Sequence, residues 1–91
     1  QLEKIEREIA DGEADQHVIG PLARRFEGAL NTFKKRGRRV SGRDFEALRS
    51  EMERVQLDAL HARAELRTSI GRKNLDELSS AVASVLEQMS R

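Results

Sequence analysis

The chain is predicted to be all-α, a small antiparallel bundle of about four helices with one long third helix and a C-terminal helical hairpin. Three observations carry that prediction. Apolar residues recur every three or four positions from Phe45 through Leu48, Met52, Val55, Ala59, Ala62 and Leu66 to Ile70, with no glycine or proline among them. This is the spacing of one long amphipathic helix. A second stripe, Leu75, Leu78, Val82, Val85 and Met89, follows a polar break at residues 71–74 and supplies the other arm of a hairpin. Finally, three phenylalanines with no tryptophan or tyrosine, in a chain that is 36% charged, suit helices better than a sandwich or barrel, which draws on aromatic and β-branched residues.

Taken in order, the first helix is expected over residues 2–10, ending at Asp11 and Gly12 because glycine just past the last periodic residue is a common helix terminator. Asp15 is then a candidate N-cap for the next segment, whose apolar face is Val18, Ile19, Leu22, Phe26, Leu30 and Phe33. Gly20 and Pro21 interrupt that face, which predicts a kinked or two-part helix ending near Arg36. Residues 37–42 read as a loop, and Ser41 with Asp44 imitates a capping box, as Asn74 with Glu77 does before the last helix. The third helix, about residues 43–70, would be about 40 Å long at 1.5 Å per residue.

The long stripe has two readings. In one it is the internal core. In the other, Phe45, Leu48, Met52, Val55, Ala59, Ala62, Leu66 and Ile70 form a dimer seam in which Ala59 and Ala62 let a partner helix approach closely. Leu57, Leu60 and Ala64 form a second apolar line beside the first, so the helix touches two neighbours at once. An internal bundle with an intermolecular face follows, its partner a second copy or another helical protein.

Ninety-one residues make one small domain, which hides only about two-thirds of its unfolded surface. The absence of cysteine excludes disulfide and thiolate chemistry. No apolar run approaches the ~20 residues that span a bilayer and no signal peptide opens the chain, so the expected location is the cytoplasm. Helical spacing is already present in Leu2, Ile5 and Ile9, which suggests a fragment of a longer protein.

Charge is segregated beneath a formal net of +1: residues 1–15 hold two basic and six acidic side chains, residues 16–43 eight and one, residues 44–91 seven and nine. Lys34, Lys35, Arg36, Arg38, Arg39 and Arg43 fall within ten residues without an acid. Such a cluster meets phosphates on an anionic membrane surface or on nucleic acid, or else it neutralises nearby carboxylates. No aromatic residue is interleaved to stack on bases, which weighs against nucleic acid. There is no nucleophile elbow, phosphate-binding glycine loop or paired histidine at ligand spacing. No catalytic residue, metal ligand, cofactor or small-molecule substrate is expected. His17 and His61 stand alone, each a surface side chain or a pH-sensitive one.

The runs LEKIEREIADGEAD at residues 2–15 and FEALRSEMERVQLDALHARAEL at residues 45–66 resemble the cytoplasmic C-terminal region of bacterial monovalent cation:proton antiporters. Pro21 and the KKRGRR run at residues 34–39 depart from that pattern. The resemblance implies a non-catalytic regulatory or assembly element, tethered to the inner face of a membrane, with the transport residues elsewhere. The alternatives from the residues themselves are a nucleic-acid-associated module and a protein–protein adaptor.

Overall fold

The computed structural model describes residues 2–36 and 42–90. Three α-helices follow one another: α1 (Leu2–Arg36), α2 (Gly42–Ala62) and α3 (Ser69–Met89), with a 3₁₀ turn, Arg63–Glu65, after α2. No strand occurs among the described residues, so the all-α expectation holds. The expected count of four does not describe them: the first two predicted helices are one.

α1 runs unbroken through Asp11, Gly12, Gly20 and Pro21 for 35 residues. At 1.5 Å per residue it is about 52 Å long, which accounts for the 56 Å long dimension of the molecule. An interior glycine costs about 1 kcal/mol relative to alanine. Tertiary contact outweighs that cost here. Ile19, Leu22, Phe26 and Ala29 bury one continuous face, while Asp11 and Asp15 are anchored to residues beyond α2, so the helix has attachments on both sides of each glycine. Pro21 removes the hydrogen bond to the His17 carbonyl, but both residues lie on the exposed side of α1.

The predicted third helix, residues 43–70, is also corrected. α2 stops at Ala62, Leu66 is extended at φ −75° and ψ 141°, and the expected break at 71–74 lies inside α3. Asn74 is therefore an interior helical residue. The N-cap of α3 is Thr68, extended at φ −117° and ψ 154°, whose hydroxyl accepts from the Gly71 N–H at 2.8 Å. No glycine or proline marks this turn because a distant carboxylate fixes it, as described below. The expected loop, with Ser41 of the Ser41–Asp44 pair, lies outside the described residues except for Gly42, which begins α2.

The three helices share a core in two parts. One gathers Phe26, Ala29, Met52, Val55, Val82, Val85 and Met89, with Phe33 and Phe45 closing its end at a ring separation of 6.3 Å. The other gathers Ile19, Leu22, Ala59, Ala62, Leu66 and Leu75. Met52, Val55 and Val82 are fully buried. Along the flank, Arg25 of α1 donates from Nε to Glu51 at 2.9 Å and from Nη1 to Asp58 at 2.7 Å, spanning two turns of α2. Arg36 reaches Asp44 at 3.6 Å at one end of α1. Asp11 reaches Arg67 at 3.5 Å well before the other end, so residues 2–10 continue past the turn as an overhang that is exposed throughout.

Candidate functional site

Each expected site residue has a definite place. Lys34, Lys35 and Arg36 form the last turn of α1, where cations offset the negative end of the helix dipole. Arg43 stands in the first turn of α2. All four are exposed, and the Arg36–Asp44 ion pair brings that end of α1 to the start of α2. Arg38 and Arg39 lie outside the described residues.

The expected seam is largely spent inside the chain. Met52, Val55, Ala59, Ala62 and Leu66 are buried, and Phe45 and Leu48 are half-buried against the core formed with α1 and α3. Ile70 alone faces outward, 73% exposed in the first turn of α3. His17 and His61 are exposed and far apart in the sequence, on α1 and on the last turn of α2. Among the described residues no group of three His, Cys, Asp or Glu side chains could hold a metal ion.

The polar centre of the molecule is one that sequence reasoning placed on the wrong helix. Asp15 is expected to cap its own segment; instead it sits inside α1, 1% exposed, and caps the turn after α2. Its Oδ1 accepts from the Arg67 N–H at 2.8 Å, and its Oδ2 accepts from the Thr68 N–H at 2.9 Å and the Thr68 hydroxyl at 2.5 Å. Burial alone would push the carboxyl upward. The hydrogen bonds from Thr68 and Arg67, with the Arg67 charge beside them, overcome that and hold it below the ordinary 3.8. Gly71 completes the fit, since a Cβ there would overlap the carboxylate. The group is thus satisfied by its own chain. No buried side-chain nitrogen or oxygen among the described residues lacks a hydrogen-bond partner.

What remains open is apolar. On α2 the second line, Leu57 and Leu60 with Ala64 just beyond, is exposed, and Leu57 and Leu60 line an open groove of about 610 Å³ between α2 and α3. Its floor is Ala59, and Arg63 bridges it to Asp76 at 2.9 Å. On the overhang of α1, Leu2, Ile5 and Ile9 are likewise uncovered. The helical spacing of both lines was the available signal for them; what only the fold reveals is that no neighbour among the described residues covers either.

A three-helix bundle with a satisfied polar centre and two uncovered apolar helix faces belongs to the class of small helical modules. No family model, curated protein or solved structure matches the chain. No helix is long and apolar enough to cross a membrane among the residues described.

Proposed function

We propose that the chain is a non-catalytic helical interaction module that docks an amphipathic helix on the outer face of α2. The observation that carries this is the pair Leu57, 52% exposed, and Leu60, 67% exposed, on a helix whose opposite face is already filled by Met52, Val55 and Ala59. Contiguous apolar surface rimmed by polar groups marks interaction sites, and a groove between two helices takes a third helix through residues spaced i, i+3 and i+7. The test is a titration of the chain with a synthetic helical peptide bearing leucines at that spacing. Saturable binding that disappears in the Leu57→Glu, Leu60→Glu variant supports docking. A peptide that binds both proteins equally, or neither, refutes it.

A second reading is favoured by Lys34, Lys35 and Arg43, which are exposed and have no ion-pair partner among the described residues. We propose an anionic surface as their ligand, each basic residue near such a surface contributing roughly 1 kcal/mol. The resemblance to antiporter tails supplies a setting, a regulatory element held at a membrane face. Cosedimentation with phosphatidylserine vesicles, lost at high salt and in the triple alanine variant, supports it; preferential binding to duplex DNA assigns the cluster to nucleic acid instead.

A further inference from the structure

We propose that residues 5–12 of α1 dock a helix of another protein, one whose apolar stripe is flanked by lysine or arginine. This surface is separate from the α2 face and does not depend on it. Ile5, Gly12, Ile19, Phe26 and Phe33 succeed one another at intervals of seven residues, and Ile9 stands three such intervals before Leu30. Ile19 and Phe26 are buried, and Leu30 and Phe33 pack against the core around Phe26. Asp11 and Asp15 mark where α1 passes the turn after α2. The seam that α2 and α3 cover runs on beyond that point without a change of phase, and there Ile5 and Ile9 are 54% and 57% exposed. A seven-residue repeat keeps facing a helical neighbour along its whole length, so the uncovered part of the seam has the form that takes another helix.

The rim of this surface carries one sign of charge. At about 100° per residue, Glu6 and Glu13 flank the line of Ile5 and Ile9 on one side and Glu8 on the other, while Lys4 and Arg7 lie more than about 130° away, on the back of the helix. All three glutamates are exposed. Arg67, the cation that reaches α1 from the turn, is engaged with Asp11, which also lies toward the back. A basic amphipathic helix therefore meets acid along both flanks. An anionic lipid surface is repelled by the same rim, and the same stripe of a second copy would set glutamate against glutamate.

Gly12 is the third observation. It occupies the seam between Ile5 and Ile19, where glycine costs about 1 kcal/mol relative to alanine, yet an added Cβ would meet nothing within 4 Å. Packing within the described chain gives no reason for a missing side chain there; close approach of a partner does. Gly12 also lines an open cleft of about 350 Å³, together with Glu8 and Gln16 of α1 and with Ser69 and Ile70 at the start of α3. Ile70 is 73% exposed. A helix laid along Ile5, Ile9 and Gly12 ends in this cleft, where its last apolar side chain covers Ile70.

The experiment is a fluorescence-anisotropy titration with two labelled helical peptides of about three heptads, both with leucine at a and d, one with lysine and the other with glutamate at e and g. The chain carries Leu57→Gln and Leu60→Gln, which close the α2 face, so that failure here and failure of docking on α2 are read separately. The expected result is saturable binding of the lysine peptide, at least about tenfold tighter than of the glutamate peptide. Two further changes, each checked for retained helicity by circular dichroism, should weaken it by at least about tenfold: Ile5→Glu with Ile9→Glu, and Gly12→Leu. The first adds two acids, so attraction by charge alone would strengthen binding there. No binding, equal binding of the two peptides, or binding indifferent to either change overturns the proposal. So does light scattering that finds the chain dimeric through Ile5 and Ile9, which would make a second copy the occupant.

Discussion

Replacing Asp15 with alanine tests whether a single carboxylate determines where α2 ends and α3 begins. The substitution removes the acceptor of two backbone N–H groups and one hydroxyl. Hydrogen bonds to a charged group contribute about 1.5–3 kcal/mol each, so three set an upper bound of several kcal/mol. Two effects reduce it. The bonds share one carboxylate and are not additive. The freed groups also regain water, because Arg67 is exposed and Asp15 lines an open cleft of about 350 Å³. A net loss of about 2–4 kcal/mol remains, a large part of the roughly 5–14 kcal/mol available to a domain of this size. In equilibrium urea unfolding followed by circular dichroism, with a slope of about 1–3 kcal/mol per molar, the midpoint should fall by about 0.7–4 M. Asp15→Asn keeps the size and one acceptor oxygen but loses the charge, and should fall between parent and Asp15→Ala. A midpoint for Asp15→Ala within about 0.2 M of the parent would show that the turn is set by something else.

Two further outcomes follow from the same junction. The folded-state pKa of Asp15 is depressed, so its contribution is complete above its ordinary value and is lost as pH falls through the folded value. The stability gap between parent and Asp15→Ala, measured in urea from neutral pH downward, should therefore stay constant to about pH 4 and narrow below it; a gap that widens on acidification contradicts the assignment. Glycine substitutions should divide by sign. Gly28→Ala, where an added Cβ meets nothing within 4 Å, should stabilise by about 0.5–1 kcal/mol, while Gly71→Ala, whose Cβ overlaps the Asp15 carboxylate, should destabilise despite the better helix propensity of alanine. Thermal melts that move both variants in one direction would reject the account of Gly71.

The helical class was legible because periodicity is a local property, and the stripes from Phe45 to Leu66 and from Leu75 to Met89 do line the core. Helix boundaries were less legible, for a physical reason. Gly12, Gly20 and Pro21 are local terminators, yet α1 passes through all three because contacts elsewhere hold it. The opposite holds at residues 63–68, where no local terminator exists and the chain turns because Asp15, 52 and 53 residues away, draws in the N–H groups of Arg67 and Thr68. Asp15 has the chemistry of a capping residue; single-sequence reasoning had no means to tell that its target was the turn between α2 and α3. For the candidate surface, Leu57, Leu60 and Ala64 were readable as a second apolar line. That Met52 and Val55 belong wholly to the interior became evident only when α1 and α3 were seen to cover them.

The buried carboxylate also limits how far α1 can slide. Helices that meet through valine, alanine, leucine and methionine exchange one apolar neighbour for another when they shift by a heptad, and small side chains such as Ala29, Ala59 and Ala62 offer little steric resistance. A seven-residue shift moves Asp15 about 10 Å along the axis. Three donors are then abandoned, and a shift that carries Asp15 into the bundle also leaves its charge buried among apolar atoms, a penalty that apolar repacking cannot offset. Asp15 thus acts as a detent for the bundle, selecting one register from several that the hydrophobic pattern alone would allow.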